Sequence, residues 1–128
     1  MNEKEMLEYL KESIPDLEKS PNITDGYDCL SEESKLYIEL KARRTHYPTL
    51  LLEEKKYNFL IGEANRLGMK AQYINWTPEG MWAFDLDSNP DNYVWEEQWL
   101  PVSTDFGSNK KTIKRVTFLA IENGRQII

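Results

Sequence analysis

The sequence predicts an α/β fold: a mixed central β-sheet flanked by helices, in the order α-β-β-α-β-β-loop-β. Three observations predict it. Tyr27 to Leu30 and Leu36 to Leu40 are apolar runs on either side of the polar tetrapeptide Ser31-Glu32-Glu33-Ser34, the pattern of two strands joined by a short turn. Two other stretches, near residues 2–13 and 49–67, carry apolar residues at helical spacing. Further strand-like runs follow the second helix, and a sheet covered by helices is how such an order buries its apolar faces. At 128 residues the chain is expected to form one domain, 1–128, large enough for a real core.

The elements follow in order. Met6, Leu7, Leu10 and Ile14 recur at spacings of three and four, so residues 2–13 predict a helix. Asn2 can cap it, and Pro15 lies just past its end. Pro15, Pro21, Asn22 and Asp25-Gly26 mark residues 15–26 as a loop. In the second of the paired strands, Leu36, Ile38 and Leu40 share one face and Tyr37, Glu39 and Lys41 the other. A basic connection ending in Pro48 leads to a second helix, with Thr49 as its expected cap. Tyr57, Leu60, Ile61, Ala64 and Leu67 form its buried stripe, and Gly68 ends it. Lys70 to Trp76 and Met81 to Leu86 predict strands around the turn Thr77-Pro78-Glu79-Gly80. Residues 87–109 predict a long ordered loop with one helical turn, since Trp95 and Trp99 stand at helical spacing. Lys111 to Ile121 predicts the last strand. Asn123-Gly124 is a turn signal, after which residues 125–128 are expected to pair back as an edge.

Composition narrows the chemistry. The single Cys29 has no partner for a disulfide or a thiolate site, and the single His46 excludes a histidine-based zinc centre. Any metal would be held by carboxylates, which points to magnesium or manganese. The apolar runs are too short to span a bilayer and the N-terminus is acidic, so a soluble, cytoplasmic protein without membrane contact is expected. The net charge is −6, but it is blocked along the chain. Residues 1–33 hold three basic and ten acidic side chains, and residues 71–107 none and seven. Residues 34–70 hold eight and four, and residues 108–128 five and one. A local basic face on an acidic body follows, with weak non-specific affinity for nucleic acid.

Asp28, then about ten residues, then Glu39-Leu40-Lys41, on neighbouring strands, resembles the PD-(D/E)XK nuclease superfamily. The resemblance covers about residues 23 to 86. It implies a restriction-endonuclease-like core and a metal-dependent deoxyribonuclease. Asp28 and Glu39, with the Leu40 carbonyl, would bind Mg2+, for which Mn2+ would substitute, and Lys41 would assist the attacking water. DNA is the implied partner, and the resemblance leaves room for a homodimer. Tyr37-Ile-Glu-Leu-Lys-Ala-Arg-Arg44 and Tyr57-Asn-Phe-Leu-Ile61 look like small phage-encoded members, which would place the protein in a host cell's cytoplasm. A rival reading keeps the fold without catalysis, as a nucleic-acid- or protein-binding subunit of a phage particle or replication complex. The acidic body favours that rival. Retention of all three motif residue types favours the enzyme.

Each candidate has a plainer reading. Glu39 and Lys41 could be a solvated pair on one strand face. Asp28 lies in an apolar run, where an unpaired carboxylate is costly unless it meets a cation. Asp25 is the alternative acid, although before Gly26 it is a natural turn residue. Pro15-Asp16 is a literal "PD" 23 residues before Glu39, but it sits at a helix exit and reads as a decoy. Lys56 resembles the helix Lys or Gln that relatives aim at the site; otherwise it is a snorkelling surface lysine. Glu53-x-x-x-Tyr57 resembles the Gln-x-x-x-Tyr element of some subfamilies, with Glu in place of Gln; otherwise Glu53 complements the helix dipole. Arg43 and Arg44 follow the motif, and one of them would reach a phosphate on DNA. Glu8 or Glu12 could add a helical ligand or simply face solvent. Trp95 and Trp99 could stack on bases or anchor the loop.

Overall fold

The architecture comes from a computed structural model, which describes residues 1–21, 26–102 and 110–128. Helix α1 spans Glu3–Leu10 and opens on a capping box, in which Asn2 accepts from the Glu5 amide and Glu5 accepts from the Asn2 amide. Strand β1 (Glu18–Lys19) is brief. β2 (Tyr27–Ser31) and β3 (Leu36–Ala42) form the expected hairpin, turning through Lys35 at a positive φ of 56°. Next come β4 (Thr49–Glu53), α2 (Glu54–Leu67), β5 (Lys70–Thr77) and β6 (Gly80–Asp85). A 3-10 turn at Pro90–Asn92 precedes β7 (Glu96–Pro101) and β8 (Lys111–Ala120). A second one at Ile121–Asn123 precedes β9 (Arg125–Gln126).

The central sheet has the order β1-β2-β3-β5-β6-β9, with β3 and β5 parallel and the other neighbours antiparallel. It is the expected mixed sheet. Ile38 and Leu40 face α1, packing with Met6, Leu7 and Leu10. Tyr37 faces α2, packing with Leu60 and Ala64. β3 is therefore clamped from both sides. Each large apolar side chain buried this way contributes about 1.5–3 kcal/mol, so the strand is a fixed platform for what it carries.

Several expectations need correction. Thr49 is not a helix cap: residues 49–53 are a strand, paired with β8 from Thr49↔Ala120 to Glu53↔Val116. The leucine run is compatible with a helix, but pairing with β8 and burial of Leu50 and Leu52 override propensity. Helix α2 begins only at Glu54, with Glu53 extended and making no side-chain cap. The long loop contains a strand: Trp99 lies on β7 opposite Ile113, so its spacing from Trp95 is not helical. β8 does not join the central sheet but forms a second, three-stranded sheet of order β4-β8-β7. The C-terminal edge strand β9 pairs with β6 rather than with β8. Residues 15–26, expected as loop, include β1, which pairs with β2. Asp25 and residues 103–109 of the expected loop lie outside the described residues. Among the described residues, no helix is long and apolar enough to cross a membrane.

Candidate active site

Hairpin register decides where the acids go. Asp28 on β2 stands opposite Glu39 on β3, so both side chains leave the same face, the one covered by α2. Asp28 is 2% exposed and Glu39 3%. Two carboxylates buried side by side repel each other and lose hydration, so each needs a partner. The chain supplies each of them one. The Tyr37 hydroxyl donates to Asp28 Oδ2 at 2.9 Å. Lys56, from the first turn of α2, brings Nζ to 3.5 Å from Glu39 Oε1. The second oxygen of each carboxylate, Asp28 Oδ1 and Glu39 Oε2, is buried without a hydrogen-bond partner among the described residues. Burial, reinforced by the adjoining Asp28 carboxyl, pushes the Glu39 carboxyl well above the ordinary carboxylate range, and Lys56 only partly opposes this.

Two orphaned carboxylate oxygens on neighbouring strands fit a hard divalent cation. Among the described residues, no group of three or more histidine, cysteine and acidic side chains could hold a metal. Magnesium does not need one, since it is commonly held by one or two carboxylates and keeps several waters. Leu40 lies between Glu39 and Lys41 on the same central strand, paired with Tyr27 and Ile74.

Lys41 is two residues beyond Glu39 on the same face and beside Asn75 of β5. It is half-buried, and its side chain makes no ion pair or hydrogen bond with a described residue. The structure thus gathers Asp28, Glu39, Lys41 and Lys56. It engages the other candidates elsewhere. Arg43 donates to Asn75 Oδ1 at 2.7 Å, to the Leu51 carbonyl at 2.7 Å and to the Tyr73 hydroxyl at 2.9 Å. Arg44 is exposed. Glu53 accepts from Lys114 at 3.0 Å. Tyr57 is buried and donates to the Asp87 carbonyl, and burial raises its hydroxyl pKa to about 12. Glu8 and Glu12 are exposed; Glu8 lies on α1, over the opposite face of the sheet. His46 meets the Thr77 hydroxyl at 2.8 Å. Trp95 donates to the Pro90 carbonyl and packs on Tyr57 and Tyr93, whereas Trp99 is 66% exposed. Asp16 accepts from the Ser31 hydroxyl at 2.6 Å and the Glu33 amide at 3.0 Å, anchoring the β2–β3 turn. The literal "PD" is structural.

Three site features escaped the sequence reading. Tyr37 binds Asp28, and strand alternation already placed it on Glu39's face. Gly26 is pressed against the site: a Cβ there would lie 2.5 Å from Lys56 Nζ and 2.6 Å from Glu39 Oε1. Asn75 is fully buried; its Oδ1 faces the Arg43 donor, and its amide nitrogen has no partner among the described residues. A lone Asn inside the apolar run Tyr73-Ile74-Asn75-Trp76 was the available signal.

No family model matches this sequence, and no curated protein matches it. Among solved structures, it is similar to Hjc of Archaeoglobus fulgidus, a Holliday junction resolvase from an archaeal hyperthermophile, known at 1.6 Å resolution. The TM-score is 0.60 at 15% identity, over 98% of this chain and 88% of the resolvase chain. At that identity the likeness is one of fold. On that likeness, the chain has a restriction-endonuclease-like α/β fold.

Proposed function

We propose that the protein is a metal-dependent endonuclease that hydrolyses phosphodiester bonds in DNA. One observation carries this reading: Asp28 and Glu39 stand in register on adjacent strands, each with one oxygen held by the chain and one without a partner among the described residues. Asp28 Oδ1, Glu39 Oε2 and the Leu40 carbonyl are the proposed ligands of Mg2+ or Mn2+. When bound, such an ion lowers the pKa of a coordinated water and takes up negative charge at the phosphate. Lys41, without an ion pair among the described residues and on the same strand face, donates to the attacking water or to the phosphate and stabilises the charge that develops there. Lys56 balances Glu39 and adds a second positive charge at the mouth of the site. Arg44 is exposed just beyond β3 and is the better placed of the two arginines to meet a neighbouring phosphate. Branched DNA is the first substrate to try, because the structural neighbour is a Holliday junction resolvase.

The test is a panel of four-way, three-way, linear duplex and single-stranded DNAs with Mn2+. Cleavage of at least one is expected, and chelation should stop it. Lys41→Ala should lower the rate about a hundredfold, the scale of a positioned proton-transfer group. If the whole panel stays intact at high protein concentration, the non-catalytic subunit becomes the conclusion, a reading that the net charge of −6 favours.

A further inference from the structure

The geometry points to Tyr37 as the positioning residue of the metal site: its hydroxyl holds one oxygen of Asp28 so that the other faces the cation. The inference rests on the proposed site and adds a residue to it. Tyr37 is fully buried and Asp28 nearly so, and the hydroxyl reaches Oδ2 at 2.9 Å. A carboxylate rotates about its last side-chain bond, so an Asp with no fixed oxygen samples several orientations and turns from its neighbour Glu39. A hydrogen bond to Oδ2 removes that freedom and leaves Oδ1 as the oxygen of Asp28 without a partner among the described residues.

Tyr37 is itself well fixed. It sits two residues before Glu39 on the clamped strand β3, with its ring between β-sheet and helix beside Leu60, Ala64 and Ala71. Position and donor therefore come from the same rigid element that carries Glu39. The site is asymmetric as a result. Asp28 is held by a neutral donor and Glu39 by the Lys56 ammonium. Entry of a cation leaves the Tyr37 contact intact, because a hydroxyl bears no charge for the cation to repel, whereas Lys56 is a like charge. Partners that orient metal ligands in this way are worth about tenfold to a hundredfold in metal affinity.

The experiment is a titration of metal-free protein with Mn2+, read by calorimetry and by the rise in melting temperature. Tyr37→Phe keeps the ring and its core contacts and deletes only the hydroxyl. Its Kd for Mn2+ should increase about tenfold or more, and its Mn2+-induced thermal shift should shrink, while its metal-free melting temperature falls by only about 2–8 °C. Asp28→Asn provides the second measurement. If Tyr37 acts through Asp28, adding Tyr37→Phe to Asp28→Asn should weaken Mn2+ binding no further. An unchanged Kd in Tyr37→Phe, with normal binding by the native protein, would make Tyr37 a packing residue and overturn the inference alone. No Mn2+ binding by the native protein would remove the proposed site, and the inference with it.

Discussion

At the scale of single residues, Glu39 is the group whose state reports on the site. Burial, the Asp28 carboxyl beside it and the incomplete help from Lys56 leave its carboxyl easier to protonate in the folded protein than in the unfolded chain. The sign of the linkage follows. Above about pH 4.5, the ordinary value for this side chain, the unfolded chain has released the proton and the folded protein retains it. The stability that this proton contributes is complete below that pH and is lost as pH rises towards the folded value of about 9. Metal-free protein should therefore lose melting temperature between about pH 5 and about pH 8. Glu39→Gln, which cannot titrate, should lose less and be at least as stable at the upper pH. Thermal unfolding in chelator at both pH values checks it. A Glu39 that served only as half of a structural pair with Lys56 would give the opposite result, several kcal/mol of destabilisation on substitution. Gly26 shows the same crowding from another side, since even a methyl group there would strike Glu39 and Lys56.

At the scale of elements, Arg43 joins the two sheets. It leaves the end of β3 and donates to Asn75 and Tyr73 on β5 and to the Leu51 carbonyl on β4. Arg43→Met should cost about 1–3 kcal/mol in denaturant unfolding, because it strands the buried Asn75 amide oxygen and removes one of the donors to the Leu51 carbonyl, which keeps the Tyr73 hydroxyl. Arg44→Met, at an exposed position, should cost within about 0.5 kcal/mol. Equal costs for the two would remove the strut. The sequence could not separate these arginines, because the difference lies in strands that come later in the chain. The same limit explains most of what was missed. β2 and β3 were legible because their apolar alternation and turn are local. β4 was hidden because Leu50-Leu51-Leu52 fits a helix as well as a strand until β8 is there to pair with it. β7 was hidden because neither of its faces is well buried, so it carries no alternation to read. The shared face of Glu39 and Lys41 was legible from strand alternation, and the place of Asp28 opposite Glu39 from the hairpin pattern. The role of Tyr37 was not, because it depends on the register of a hairpin rather than on spacing alone.

At the scale of the whole molecule, charge sets how this fold can meet DNA. The chain carries sixteen basic residues against twenty-two acidic ones. Lys56, Arg66, Lys114 and Arg115 each pair with an acid. Arg43 is committed to the strut, and Lys19 lies over the Tyr27 ring. Near the site this leaves Lys41, Arg44 and the exposed Lys55 as the groups able to meet phosphates, with the paired Lys56 beside them. Each neutralised phosphate releases condensed counterion and steepens the dependence of affinity on salt by nearly one unit on a log–log scale. The slope for duplex DNA should therefore be shallow, the equivalent of about three to five phosphates. Arg44→Ala should lower it by about one and weaken binding alike on every sequence, because a phosphate contact carries no base information. Arg43→Met should leave the slope unchanged in whatever fraction remains folded. A fluorescence-anisotropy titration across a salt series, in chelator to prevent cleavage, measures all three proteins. A native slope steeper than about six, or a slope indifferent to Arg44, would move the DNA surface away from this site. Residues 1–33 and 71–107 are both acidic, so the remaining basic block to test would be the β8 region.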